Sequence, residues 1–399
     1  MNVHGRTWRE GAAAAGDLGN QPAKGDESEM SRHTHQTTAT QQKISNFLCP
    51  EDLSSAIPKH FLDFCHDSIE AIRGNRLYTI PSIAPDFGST QYDGADGFTL
   101  DVAAANGEHV AKLDPIATRR PVIAVDTSSI KLGELADGVL CALRGAVVVL
   151  EAKRYRYVRY GPFVFSLGYN SPLISRSFTN LGLPPFSGEP NVDSLLKRVR
   201  NMFERWLQYD MSSSVGNAFL LIDGSLTAGT PDNPSRDLER ILEVARSSGS
   251  ALIAISKKTK LRIRNEGLTE LLEHESDPCL LDVDTEVTEQ FPPFPVQFLG
   301  RVFVAKLARF GFPFRIDIDR QIPAAGAIRE FAQLAGTDIV DQGYPETLRM
   351  AHVLSTFTAM DVLAMQAFAQ AEFGVQMMPR LALRHSLFGP FGTAWEAFH

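Results

Sequence analysis

Apolar positions follow two different spacings along this chain, and the switches between them predict its elements. Between residues 45 and 80, Ile57, Phe61, Phe64, Ile69 and Ile72 recur at helical spacing and Gly74 stands as a stop, which predicts an N-terminal helix. Residues 81–118 are rich in Gly, Asp, Ala and Pro and read as a loop-rich connection with weak strand signals. VIAVD at 122–126 reads as a buried strand, and 136–160 holds enough apolar and β-branched residues for further strands, with Gly145 placed to bend their pairing. In 191–210, Leu195, Leu196, Val199, Met202, Phe203, Trp206 and Leu207 form one helical stripe, with Asn191 or Asp193 as candidate N-cap. AFLLID at 218–223 is a second core strand. A helix opening at Ser235 and stopping near Gly249 follows, and ALIAIS at 251–256 is a third strand.

Strands alternating with helices in this way predict an α/β sheet with parallel neighbours joined by right-handed crossovers. The acidic, Pro-rich stretch 281–298 reads as an inserted loop. VFVAKL at 302–307 and FRIDI at 314–318 read as a hairpin, and helices are expected from about 325 to 372. The expected organisation is a disordered tail over 1–44, a helical and loop-rich extension over 45–118, and one catalytic-type domain over 119–399.

Composition narrows the class. With 399 residues, 44% hydrophobic and 22% charged, the chain can bury a large core, and a net charge of −8 argues against a uniformly basic coat for nucleic acid. Any contact with DNA must come from local basic patches. Cys49, Cys65, Cys141 and Cys279 form no C-x-x-C pair, so neither a disulfide framework nor a zinc finger is encoded, and a reducing cytoplasm is the expected location. There is no apolar run of the roughly 18 residues a membrane span needs, so no membrane association is expected. The first residues also lack the apolar core of a signal peptide.

Asp126 and Asp223 each stand directly after an apolar run, where a strand leaves the sheet and ligands of open α/β sheets bind. Either could instead be an ordinary turn-forming Asp. Glu204 falls on the helix between those strands, roughly 60° beyond Leu207 on the helical wheel. There it can lean over the sheet edge, or be exposed and paired with Arg200 one turn away. Asp on a first strand, Glu on a first helix and Asp on the next strand is the order in which ribonuclease H-like folds assemble a carboxylate cluster. Such a cluster suits hard Mg²⁺ or Mn²⁺ ions, and two of them can serve phosphodiester cleavage. A kinase version of that fold predicts a Gly-rich phosphate loop, and none stands near 126–145 or 223–230.

Over about two-thirds of its length the chain resembles the NurA nuclease family. The match runs through VIAVDTSS at 122–129, AFLLIDGSL at 218–226, ALIAISKK at 251–258, RVFVAKLARFGFPFRIDI at 301–318 and GYPETLRMAH at 343–352. The resemblance implies a ribonuclease H-like mixed sheet flanked by helices, with an N-terminal helical extension and C-terminal helices. It also implies a Mn²⁺-preferring (or Mg²⁺-using) nuclease for DNA ends and single strands, working as a homodimer with a HerA-type hexameric ATPase in DNA repair or antiviral defence. Carried over residue by residue, the family's carboxylates fall on Asp126, Glu204 and Asp223, and its C-terminal pair on Tyr344 and His352. Glu189 and Glu151 are rivals to Glu204. His352 can complete a metal shell or serve phosphate as an imidazolium, and it can equally be a structural histidine. The family commonly has Gly after the first Asp, where this chain has Thr127.

Lys257, after the third core strand, is a candidate phosphate ligand, as are Lys258 and Lys260. Arg154, Arg156 and Arg159 of RYRYVRY form a second candidate DNA-binding patch whose tyrosines could stack on bases, unless the motif is simply an alternating edge strand. Against the enzyme reading stands a non-catalytic adaptor that docks on and regulates a HerA-type ATPase.

Overall fold

The computed structural model describes residues 57–79, 100–102, 110–168, 192–230, 233–263, 266–290 and 296–379. The expected tail over 1–44, Cys49, Glu189 and the candidate cap Asn191 lie outside these. Along the chain come helix α1 (Lys59–Glu70), β1 (Arg76–Thr79), β2 (Ala111–Lys112), and three long strands β3 (Val122–Leu135), β4 (Gly138–Glu151) and β5 (Arg154–Gly168). Then follow α2 (Val192–Ser214), β6 (Phe219–Asp223), α3 (Ser235–Ser247), β7 (Ala251–Ser256), β8 (Cys279–Asp282) and α4 (Asp284–Gln290). Last come β9 (Gly300–Lys306), β10 (Phe314–Asp319), α5 (Ala324–Thr337), α6 (Glu346–Ser355), α7 (Ala359–Phe373) and β11 (Gln376–Pro379).

These strands build one 11-stranded sheet. β3, β4 and β5 form an antiparallel meander, while β6 runs parallel to β3 and β7 parallel to β6. The resulting order β5-β4-β3-β6-β7, with α2 and α3 as crossovers, is the ribonuclease H-like arrangement. It matches the expected alternation. β10, β9, β8 and β2 extend the sheet beyond β7, all antiparallel, and the β9–β10 hairpin is as expected.

Side chains alternate between two buried faces, which is why the core strands read as unbroken apolar runs. Val122 and Ala124 of β3, Phe219 and Leu221 of β6, and Ile253 and Ile255 of β7 pack on one face with Phe331 of α5 and Leu348 and Ala351 of α6. Ile123, Val125, Leu220, Ile222 and Leu252 face the other way, into a core with Leu195, Val199, Phe203 and Leu207 of α2 and Ile241 of α3. We call these the α6 face and the α2 face.

Three expectations are corrected. Residues 281–298 are not simply a loop: β8 ends in them, α4 follows, and Gln297–Phe298 pairs with Thr227–Ala228. Asp193 is no N-cap but lies in the first turn of α2, where it meets Lys131 at 2.5 Å. Contrary to expectation, β3 does not leave the sheet at Asp126 but continues to Leu135 beside β4. In the 45–118 stretch the expected helix is present as α1. Phe61 of α1 stacks on Phe203, Phe163 and Trp206, and β1 and β11 pair in parallel beside the far end of β3. Four-residue strands such as RLYT and QMMP carry too short a pattern to be distinguished from loop.

Candidate metal centre

The period-two alternation decides which side chains meet. Asp126 continues the parity of Val122 and Ala124, Asp223 that of Phe219 and Leu221, and Lys257 that of Ile253 and Ile255, so all three emerge on the α6 face. They do so where β6 and β7 end and where the parallel pairing of β3 with β6 stops, although β3 itself continues to Leu135. Gly224 turns the chain there with φ of 116°, a conformation glycine adopts without steric cost, and Asp317 Oδ2 accepts a bond from the Leu226 amide at 2.9 Å, fixing the loop that follows Asp223.

Helix α6 brings the rest. Its buried side, Leu348, Ala351 and Ser355, lies on the sheet, and His352 sits beside that stripe above Asp126. His352 Nδ1 is 3.1 Å from Asp126 Oδ2, and Ser355 Oγ donates to the same oxygen at 2.7 Å. Lys257 Nζ donates to Asp223 Oδ2 at 2.6 Å and stands 5.3 Å from the centre of the Tyr344 ring. One donor atom from each of Asp126, Asp223 and His352 lies within 4.8 Å of the others.

Glu204 is buried, not exposed beside Arg200, but it approaches from the α2 face. Its carboxylate accepts from Thr127 Oγ1 at 2.8 Å through Oε2 and from Gln208 Nε2 at 2.8 Å through Oε1. The two faces communicate because β3 and β6 separate here: their last paired residues are Val125 and Ile222, directly before the two aspartates.

The electrostatics follow from burial and crowding. Burial alone would raise the Asp126 pKa, but the hydrogen bond and charge of His352, with Ser355 and Lys257, hold it below the ordinary carboxylate value. His352 is raised in return by its bond to Asp126. Asp223 is pushed up by burial and by the charge of Asp126, against the pull of Lys257. Burial first, then Asp126, lifts Glu204 to about 7. Tyr344 is buried, and burial, then the charges of Asp223 and Asp126 and a hydrogen bond to Asp223, raise its pKa well above the usual phenol value. Crowded carboxylates with raised pKa values are what a divalent cation relieves, and two carboxylates with one imidazole form a donor set suited to Mn²⁺ or Mg²⁺. The residues present fit such an ion.

The basic patches divide. Arg159 stands in one cross-strand row with Ala146 and Asp126, on the α6 face and exposed, whereas Arg154 and Arg156 lie toward the other end of β5, and Arg156 is tied to Glu151 at 2.6 Å. Glu151, the described rival to Glu204, is therefore committed elsewhere. The motif's tyrosines are no stacking platform: Tyr155 and Tyr157 pack on the core, Tyr155 donates to Asp338 at 3.1 Å, and Tyr160 is buried. β5 is an edge strand whose rings cover the apolar face. Lys258 and Lys260 are exposed beyond β7. Sequence reasoning missed Ser355, although it lies one helical turn after His352, and missed Gln208, one turn after Glu204.

The NurA domain pattern matches residues 120–355, more than half of the chain. The chain belongs to the NurA family. That span runs from the start of β3 to Ser355, so the NurA match encloses every residue of the cluster. Among solved structures, the chain is similar to the NurA nuclease from Sulfolobus solfataricus, at 14% identity over 65% of this chain and 87% of that one, with a TM-score of 0.42. A second NurA structure matches at 10% identity over 66% of this chain and 90% of that one, with a TM-score of 0.38. Ciona intestinalis endonuclease V bound to an inosine-containing 24mer DNA matches at 13% over 62% and 90%, with a TM-score of 0.31. No curated protein matches.

Proposed function

We propose that this NurA-family chain is a Mn²⁺- or Mg²⁺-dependent deoxyribonuclease that hydrolyses phosphodiester bonds at DNA ends and in single strands. The observation that carries the reading is the convergence of Asp126, Asp223 and His352 within 4.8 Å, beside the point where β3 and β6 cease to pair. Asp126, Asp223 and His352 would hold an ion, and Glu204 would contribute to a second one from across the gap. Bound divalent cations supply an acidified water and charge stabilisation for phosphoryl oxygens.

The chain's own residues do the rest. Ser355 and His352 both bond Oδ2 of Asp126 and would orient its carboxylate. Lys257, 38% exposed, is placed to exchange its bond with Asp223 for a phosphate oxygen once a cation neutralises that carboxylate. Tyr344 stays protonated beside Asp223 and would offer its hydroxyl to a substrate oxygen. Arg159, Lys258 and Lys260 carry flanking phosphates, which makes DNA binding salt-sensitive despite the acidic net charge. Action as a homodimer with a HerA-type ATPase, in the cytoplasm and in DNA repair or defence, follows from the family reading alone.

The test is cleavage of linear single-stranded DNA by the full chain. Activity should require Mn²⁺ or Mg²⁺, vanish in excess EDTA, and fall on the order of a thousand-fold in Asp126→Ala or Asp223→Ala. Wild-type cleavage that survives EDTA overturns the reading. A protein inert across a metal and substrate screen that stimulates a hexameric ATPase supports the adaptor instead.

A further inference from the structure

We propose that Thr127 is a positioning residue whose hydroxyl, paired with the Gln208 amide, fixes the Glu204 carboxylate against the metal centre. The proposal rests on the metal-dependent reading above.

Asp126 and Thr127 are neighbours on β3, so their side chains leave opposite faces of the sheet. The Asp126, Asp223 and His352 donors gather on the α6 face, whereas Glu204 belongs to a helix packed on the α2 face. A glutamate on a helix has three rotatable bonds and no fixed direction of its own. Here each of its oxygens has a separate donor, Thr127 Oγ1 on Oε2 and Gln208 Nε2 on Oε1, both at 2.8 Å, which fixes the plane of the carboxylate as well as its position. Gln208 is itself held, since its Oε1 accepts from Arg205 at 2.7 Å and Arg205 in turn donates to Asn233 at 3.0 Å.

The two donors differ in what they anchor to. Gln208 rides on the same helix as Glu204 and would move with it. Thr127 sits in the ladder of β3, opposite Gly145 and next to the Asp126–Ala146 pair. Its hydroxyl therefore ties the helix carboxylate to the strand position adjoining Asp126. Gly145 makes the contact possible. A Cβ there would lie 2.5 Å from Leu207 Cδ1 and 2.8 Å from Phe203 Cε1, the residues flanking Glu204 on α2, so its absence lets the helix approach β3.

The experiment compares the full-length wild type with Thr127→Val, which keeps shape but loses the donor, Thr127→Ser, which keeps the donor, and Thr127→Gly. Mn²⁺ affinity is read by isothermal titration calorimetry and single-strand cleavage as kcat and KM separately. Groups that orient metal ligands typically matter by about 10–100-fold in affinity or activity. Thr127→Val and Thr127→Gly should weaken Mn²⁺ and lower kcat within that range at unchanged KM, and Thr127→Ser should restore both. Unaltered Mn²⁺ affinity and kcat in a folded Thr127→Val or Thr127→Gly protein overturns the clamp and leaves the nuclease reading standing. A wild type that takes up no Mn²⁺ overturns the metal reading, and the clamp with it.

Discussion

The two faces of the β3–β4–β5 meander solve opposite problems with the same strands. On the α6 face, charges are buried and answered by charges: Asp126 by His352, Asp223 by Lys257, and Arg144 by Asp361. On the α2 face the packing is aromatic and aliphatic, with Phe203, Phe163 and Phe61 in mutual contact, and Glu204, within the field of Arg205 and Arg200, accepts bonds from a hydroxyl and an amide. On the proposed reading the first face exchanges partners, since an ion would replace Lys257 on Asp223. The second is built to stay put. If the proposed clamp holds, function on one face depends on rigidity of the other.

Removing a charge from the α6 face should cost most. Arg144 is 3% exposed, forms paired bonds to Asp361 at 2.8 and 3.3 Å, donates to the Thr356 carbonyl at 3.1 Å, and stacks 4.4 Å over Phe357. It anchors the start of α7 immediately after the His352 helix. Arg144→Met removes the Arg144 charge from Asp361, which keeps its bonds from Thr358 and is 27% exposed, and should lower unfolding free energy by about 2–3 kcal/mol in urea titrations. A loss near zero would show that the α6 face does not depend on charge pairing.

Next in size is overpacking of the α2 face. Gly145→Ala should cost roughly 1–3 kcal/mol, because its Cβ meets Leu207 and Phe203 in a close-packed core. It should also weaken Mn²⁺ uptake by pushing Glu204 from Thr127. A stable variant with normal uptake would separate the two faces.

The smallest effect concerns Asp210, where the α2 face departs from its own rule. Burial raises its pKa from an ordinary 3.8 to about 6. The folded state thus holds a proton across that window that the unfolded chain has already released, so stability falls as pH rises from about 4 to about 6. Asp210→Asn should remove this slope and add about 1 kcal/mol at pH 7, the full shift being discounted for partial exposure. It should add nothing below pH 4, roughly the unfolded carboxyl value. An unchanged pH profile would contradict the assignment.

The core strands, the helices between them and the two aspartates were legible because each obeys a local rule: an apolar run, a helical stripe, an acidic residue directly after an apolar run. Burial of Glu204 was half legible, since the wheel put it at the border of the packed face but could not show that β3 and β6 part beside it. Ser355 and Thr127 were not recognised, because a hydroxyl's role depends on which side chain the fold brings to it. Arg154 and Arg156 read as one patch with Arg159. Spacing along a strand hides the fact that alternate residues face opposite ways, and the cross-strand rows set Arg159 alone level with Asp126.

The most direct test of the metal centre is anomalous X-ray diffraction from crystals soaked in Mn²⁺. The account predicts a manganese peak at bonding distance from carboxylate oxygens of Asp126 and Asp223, with Lys257 released from Asp223, and no peak in Asp223→Asn crystals. A saturating soak that leaves this cluster empty, or places manganese only elsewhere, would contradict it.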